Sequence, residues 1–236
     1  MDSKQFIVYY MALNRQAFKT RALTAIVFVT VMLIGLFWNQ WSFISLFIII
    51  HFGCWYEFIE LLKKISEKKF WQYVPLGLLY ITLPVLLLAD LFTGGMYTWN
   101  TAGNKILTGI LPLVIILSIW INDTMAYIVG SVIGKTPMSN ISPKKTWEGT
   151  VGGAIFCVII IALLQKLLGI SGWIMIPTIC AIFGTLGDLL ESKLKRMANV
   201  KDSGSILPGH GGFLDRFDSF LIATPFVWLY VYFFMR

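Results

Sequence analysis

Between Ser192 and Ser219 the chain reads SKLKRMANVKDSGSILPGHGGFLDRFDS, which holds Lys193, Lys195, Arg196, Lys201, Asp202, His210, Asp215, Arg216 and Asp218 between two strongly apolar stretches. Carboxylates that can hold a hard cation stand beside bases that can hold phosphates. Chemistry on a nucleotide or on a phospholipid head group needs both. Just upstream, Asp188, Glu191, Ser192 and Lys195 fall at i, i+3, i+4 and i+7, so on a helix they share one face. A carboxylate turned toward lipid at membrane depth is costly, so this face is expected to line a polar cavity. The competing reading is a helix end that snorkels into water, with Asp188 as an ion-pair partner.

Asp215 and Asp218 are spaced i, i+3 at the start of the last apolar stretch. On a helix their carboxylates lie one turn apart, near its positive N-terminus. Two such carboxylates repel unless a cation sits between them, and carboxylates with waters and substrate phosphates are the usual Mg²⁺ arrangement. A helix cap with a salt bridge would use the same Asp-Arg-Phe-Asp. The glycine-rich run Lys201–Gly212 offers backbone amides to oxyanions, but it lacks the Gly-Lys-Ser/Thr of a P-loop. His210, flanked by glycines, is placed to contact phosphate. Asn122-Asp123 interrupts the fourth apolar stretch, either as a functional pair or as a helix-packing hydrogen bond. Ser142-Pro143 reads as a helix start with Pro at its first position. Lys144 and Lys145 would then point at phosphates or serve only as a positive membrane anchor. His51, in mid-span, reads as a packing or hydrogen-bonded residue. No serine sits in a Gly-x-Ser-x-Gly elbow, and Cys54, Cys157 and Cys180 read as small buried hydrophobes.

The elements that position these residues are membrane helices. Hydrophobic residues make up 57% of the 236-residue chain and charged residues 13%, with a mean hydropathy of +0.76. Soluble domains are about 45–50% apolar and about 25% charged. The expected fold is an all-α, polytopic integral membrane bundle forming a single membrane domain over residues 1–236. Residues 1–105 supply apolar helices, and residues 106–236 carry the chemistry. A span needs about 20 apolar residues, which gives about seven: Ala22–Trp38, Ser42–Leu62, Trp71–Ala89, Ile106–Ile133, Thr150–Leu168, Trp173–Leu190 and Phe217–Phe234. Asp2–Lys19 could lie along the surface as an amphipathic helix, and Leu91–Asn104 reads as a loop or re-entrant turn. With a cytoplasmic N-terminus, all but Lys105, Lys166 and Arg236 of the 19 basic residues fall inside, as the positive-inside rule requires. The net charge of +7 then speaks of topology and anionic lipid rather than nucleic acid. Both polar segments, 134–149 and 191–216, reach the cytoplasmic face, where they can form one site.

The stretch Ser192, Lys195-Arg196, Lys201-Asp202-Ser203-Gly204, Leu207-Pro208-Gly209-His210-Gly211-Gly212, Asp215-Arg216-Phe217-Asp218 resembles the signature of the phosphatidate cytidylyltransferases (CDP-diacylglycerol synthases). Asn122-Asp123, Ala126-Tyr127, Gly134-Lys135, Ser142–Gly149 and Gly187-Asp188 are similar to that family too. The resemblance covers roughly the C-terminal half. It implies transfer of a cytidylyl group from CTP to phosphatidic acid, with release of pyrophosphate, by an enzyme of the inner (cytoplasmic) membrane that works as a homodimer among membrane lipids. It also implies Mg²⁺ held by Asp188, Asp215 and Asp218, and a second, monovalent cation such as K⁺. Lys201 and His210 would join the aspartates in catalysis. Asn122, Asp123, Lys144, Lys145, Ser192, Lys195, Arg196 and Arg216 would bind substrate. Two rivals stand beside this: a CTP-dependent transferase or kinase acting on an isoprenoid lipid, and a transporter for an anionic solute.

Overall fold

The computed structural model describes residues 3–93, 105–167, 173–206 and 211–235. Seven α-helices account for most of them: α1 (Ser3–Phe37), α2 (Gln40–Ile65), α3 (Leu83–Thr93), α4 (Lys105–Ile133), α5 (Trp147–Leu167), α6 (Met175–Met197) and α7 (Leu214–Phe234). No strand is present among the described residues, and the chain is an all-α bundle. Among the described residues, five helices are long and apolar enough to cross a membrane: α2, α4 from Ile110, α5, α6 and α7. The other two expected spans are shorter apolar helices, Ala22–Phe37 within α1 and Leu78–Thr93.

Three local expectations are corrected. The surface helix expected at 2–19 and the first span run together as the one helix α1. The span expected from Trp71 begins later, because Phe70–Gln72 forms a 3₁₀ turn and a π-helical turn at Leu78–Thr82 leads into α3. That π turn faces α2, where Trp55 Nε1 donates to Thr82 Oγ1 at 3.0 Å and His51 Nε2 lies 3.0 Å from the same hydroxyl. The segment 134–146 is an extended loop closed by a bridge between Pro137 and Thr146, so no helix starts at Pro143. Helix α5 starts at Trp147 because Thr146 Oγ1 accepts the Gly149 amide at 3.1 Å, a side-chain N-cap. The Glu148 carboxylate folds back to accept the Thr136 amide (3.1 Å) and hydroxyl (2.8 Å). The loop Leu91–Asn104, from residue 94 onward, lies outside the described residues.

Helix α7 runs through the core. Leu214, Phe217, Phe220, Leu221, Val227 and Val231 are buried along it, against Phe47 and Ile50 of α2, Leu88 of α3, Ile115 of α4 and Ile176 of α6. Two close approaches then place the site. On α4 and α5, a Cβ at Gly153 would stand 2.8 Å from the Ala126 Cβ, and one at Gly149 would stand 2.9 Å from the Gly130 Cα. This small-residue spacing lets backbones meet where lipid offers no hydrophobic drive between helices. On α6 and α7, a Cβ at Gly187 would stand 3.0 Å from the Ser219 Cα. The residues flanking that contact are Asp188 and Asp218.

Candidate active site

Because α6 meets α7 through a glycine, the carboxylates beside the contact converge. Asp188 and Glu191 of α6 and Asp218 of α7 each offer an oxygen, and the three oxygens lie within 4.8 Å of one another. Glu191 and Asp218 are buried. Buried carboxylates need charge partners, and two lysines supply them. Lys145, from the 134–146 loop, pairs with Asp188, and Lys195, one turn along α6, pairs with Glu191. Burial lowers the pKa of Lys145, and Asp123 and Asp218 oppose that shift. Ser192 Oγ donates to Asp188 Oδ1 at 3.3 Å. Glu191 Oε1 is buried without a hydrogen-bond partner.

Asp215 does something different. Its Oδ1 accepts Lys195 Nζ at 2.6 Å, and its Oδ2 accepts the amides of Ser203 and Gly212, each at 2.8 Å. The sequence groups Asp215 with Asp188 and Asp218, whereas the fold brings Glu191 to that position and turns Asp215 toward the loop. Three residues on a helix are about 60° short of a full turn, enough for Asp215 and Asp218 to address different neighbours. Gly211 precedes this turn with φ of +81°, a conformation that suits glycine.

Two cavities meet at Asp123. The first, about 450 Å³, lies between α4, α5, α6 and the 134–146 loop, and is lined by Asn122, Asp123, Ser142, Lys144, Lys145 and Asp188 among others. The second, about 280 Å³, lies between α1, α4 and α7. Its walls are Ala25, Phe28, Val29, Ile119 and Trp120, and its polar end is Asp123, Asp215, Arg216 and Asp218. Asn122 is buried, and its Nδ2 lies 3.4 Å from Asp123 Oδ1. The fold therefore brings together ten of the residues singled out in the sequence: Asn122, Asp123, Lys144, Lys145, Asp188, Ser192, Lys195, Asp215, Arg216 and Asp218. Two stand apart. Arg196 Nη1 donates to the Val200 carbonyl at 3.0 Å beyond the end of α6, and Lys201 is exposed on the following loop, outside the lining of both cavities. His210 lies outside the described residues.

The described carboxylates suit a hard divalent ion. Their ligand atoms are all oxygens, three lie within reach of a common point, and one buried oxygen has no other hydrogen-bond partner.

A carboxylate trio with two buried members, paired lysines and an amphipathic cavity in a membrane bundle agree with the relationships of the chain. The family model described as the cytidylyltransferase family matches residues 67–234, which include every one of these side chains except those of α1. The chain belongs to the cytidylyltransferase family. It is similar to a phosphatidate cytidylyltransferase of Staphylococcus saprophyticus, with 50% identity over 115 residues that make up 46% of this chain and 44% of the relative. The phosphatidate cytidylyltransferase of Bacillus subtilis is 46% identical over 115 residues, 47% of this chain and 43% of the relative. The chloroplastic phosphatidate cytidylyltransferase 4 of Arabidopsis thaliana is 39% identical over 158 residues, 64% of this chain and 36% of the relative. The matched stretches thus span less than half the length of these relatives. The family resemblance seen in the sequence is borne out.

Sequence reasoning missed Glu57 of α2. It is 1% exposed and reaches the loop before α7, where its Oε2 accepts Ser203 Oγ at 2.7 Å and its Oε1 accepts the Phe213 amide at 2.9 Å. The signal was present, because an ionisable residue inside an apolar span is a functional candidate by default.

Proposed function

We propose that this chain transfers a cytidylyl group from CTP to phosphatidic acid, forming CDP-diacylglycerol and pyrophosphate. The observation that carries the reading is the junction at Asp123. There a cavity edged by Lys144 and Lys145 meets a cavity with apolar helical walls and a charged end. The first suits a nucleotide triphosphate, and the second suits a lipid whose phosphate must reach the same point while its chains remain among apolar side chains.

The chemistry asks little covalent help of the protein. An oxygen of the lipid phosphate attacks the α-phosphorus of CTP, a P–O bond forms there, and the bond to the β-phosphate oxygen breaks. The nucleophile is already an anion, so no side chain needs to take its proton. The barrier is repulsion between two anions, together with the charge that builds on the leaving pyrophosphate. Preorganised cations answer both. In this reading Lys144 and Lys145 hold the triphosphate, and Arg216 draws the lipid phosphate toward Asp123. Ser192 keeps Asp188 oriented, and Lys195 keeps Glu191 and Asp215 from repelling each other. Asp188, Glu191 and Asp218 would hold a divalent cation such as Mg²⁺, which when bound offsets triphosphate charge and favours pyrophosphate departure. Asn122 and Asp123 would contact the cytidine or a second, monovalent cation such as K⁺. We place the site at the cytoplasmic face of the inner membrane, on the strength of the basic-residue bias.

The test is direct. The chain, purified in detergent, is given CTP and phosphatidic acid with Mg²⁺ or with excess chelator. CDP-diacylglycerol and pyrophosphate should appear together in equal amounts, only with the metal. An isoprenoid alcohol or phosphate should not compete. Preference for the isoprenoid, or passage of an anion across vesicles without pyrophosphate release, would overturn the reading.

A further inference from the structure

Helix α2 is apolar along most of its length, yet it buries Glu57 at 1% exposure. A carboxylate at such a position persists only where donors surround it. Here all the donors belong to a segment far along the chain. Glu57 Oε1 accepts the Phe213 amide at 2.9 Å, and Oε2 accepts the Leu214 amide at 2.8 Å. These are the first amides of α7, whose N-cap residue, Phe213, has no capping side chain of its own. Glu57 therefore does the work of a cap from another helix, at the positive end of α7 where a negative charge is favoured. The fit is close, since a Cβ on either Gly204 or Gly212 would run into the Glu57 carboxylate.

The contact continues into the site. Ser203 Oγ lies 2.7 Å from Glu57 Oε2 and 2.9 Å from Asp215 Oδ2, so one hydroxyl proton lies between two carboxylates. Asp215 in turn holds Lys195 Nζ at 2.6 Å, and Lys195 pairs with Glu191 of the acidic trio. We propose that Glu57 is a positioning residue: it fastens the 201–206 loop and the start of α7 to α2, and through Ser203 and Asp215 it sets Lys195 against Glu191. Glu57 stands outside the stretch matched by the family model, so α2 is here more than an apolar support for the catalytic half.

The activity arm of the test rests on the function proposed above, and the exchange arm does not. The whole chain is compared with Glu57→Gln, which keeps the size but turns one acceptor oxygen into a donor. Peptides covering 201–216 should exchange backbone hydrogens about tenfold faster in the variant, the size of one lost hydrogen bond, while α4 and α5 peptides exchange as before. Unchanged exchange at 201–216, or faster exchange throughout, overturns the proposal. In the activity arm, kcat should fall about tenfold or more with KM for CTP within about threefold, since the phosphate-binding lysines are untouched. Combining Glu57→Gln with Ser203→Ala should cost little beyond the worse single variant, and fully multiplicative losses would show that the two do not act as one chain. If Glu57→Gln does not fold, Ser203→Ala decides alone. It retains the cap on α7 and the Ser203 amide on Asp215 but removes the hydroxyl that bridges Glu57 and Asp215, and wild-type kcat and exchange in that variant overturn the proposal. A wild-type chain inactive with CTP and phosphatidic acid would remove the proposed function, and the exchange arm would still decide the role of Glu57.

Discussion

Two helix pairs in this molecule are drawn together by glycine, and they close over different things. Where α4 meets α5, Gly149 and Gly153 press on Gly130 and Ala126, and the seam is almost wholly backbone and small side chains. Where α6 meets α7, Gly187 presses on the Asp218 carbonyl and Ser219, and carboxylates stand on both sides. The first seam gains van der Waals contact at little electrostatic cost. The second uses the same packing device to force like charges together, which is tolerable only because Lys145 and Lys195 are delivered to the same place. A membrane bundle can therefore use one geometric rule both to hold helices and to concentrate charge, and the neighbouring residues decide which.

The sharpest way to break this contrast is to remove one charge from the second seam. Asp218→Asn should leave a folded, membrane-inserted protein and reduce kcat on the order of 10²–10³-fold, the range for losing one preorganised electrostatic group. Turnover near wild type at ordinary Mg²⁺ would remove Asp218 from the mechanism. Gly187→Val should come next. Its branched side chain has no room beside Ser219, so α6 and α7 must part at a cost of about 1–3 kcal/mol. The trio should widen, and activity should fall more steeply than stability. Undiminished activity would mean that the close approach does not matter to the site.

The matched change in the first seam is Gly153→Val. A similar loss of about 1–3 kcal/mol is expected, visible as a lowered thermal midpoint, with kcat per folded molecule falling less than in Gly187→Val, because this contact reaches the site only through the backbone at Asn122 and Ala126. If kcat fell as far as in Gly187→Val, the two seams would not differ as described. The smallest effect is expected at Lys201→Ala. Exposed and outside both cavities, its removal should shift stability by no more than about 0.5 kcal/mol and leave kcat within about twofold. A large loss of kcat would support the catalytic role that the sequence suggested.

Much of the site could be read from spacing along one helix. Asp188, Glu191, Ser192 and Lys195 lie at helical intervals, and α6 does present them together. Distances across helices were less legible. Asp215 and Asp218 look like a pair in sequence, yet Asp215 binds Lys195 and two loop amides, because a modest angular difference on α7 faces them toward different neighbours. Lys144 and Lys145 were expected at a helix start, whereas a bridged loop carries them and Thr146 caps the helix instead. Arg196 belongs to the basic cluster in sequence but is used to tie off the end of α6.

Composition and charge placement alone determined that this is a helical membrane protein. That follows because burying backbone in lipid demands helices and because hydropathy and helical spacing are local properties of a sequence. Only the tertiary structure decided that Glu191 completes the acidic trio, that Asp215 secures Lys195, and that Glu57 reaches Ser203 across 146 positions of sequence. These are choices among partners, and a partner is chosen by which backbones approach closely enough for a short side chain to bridge them.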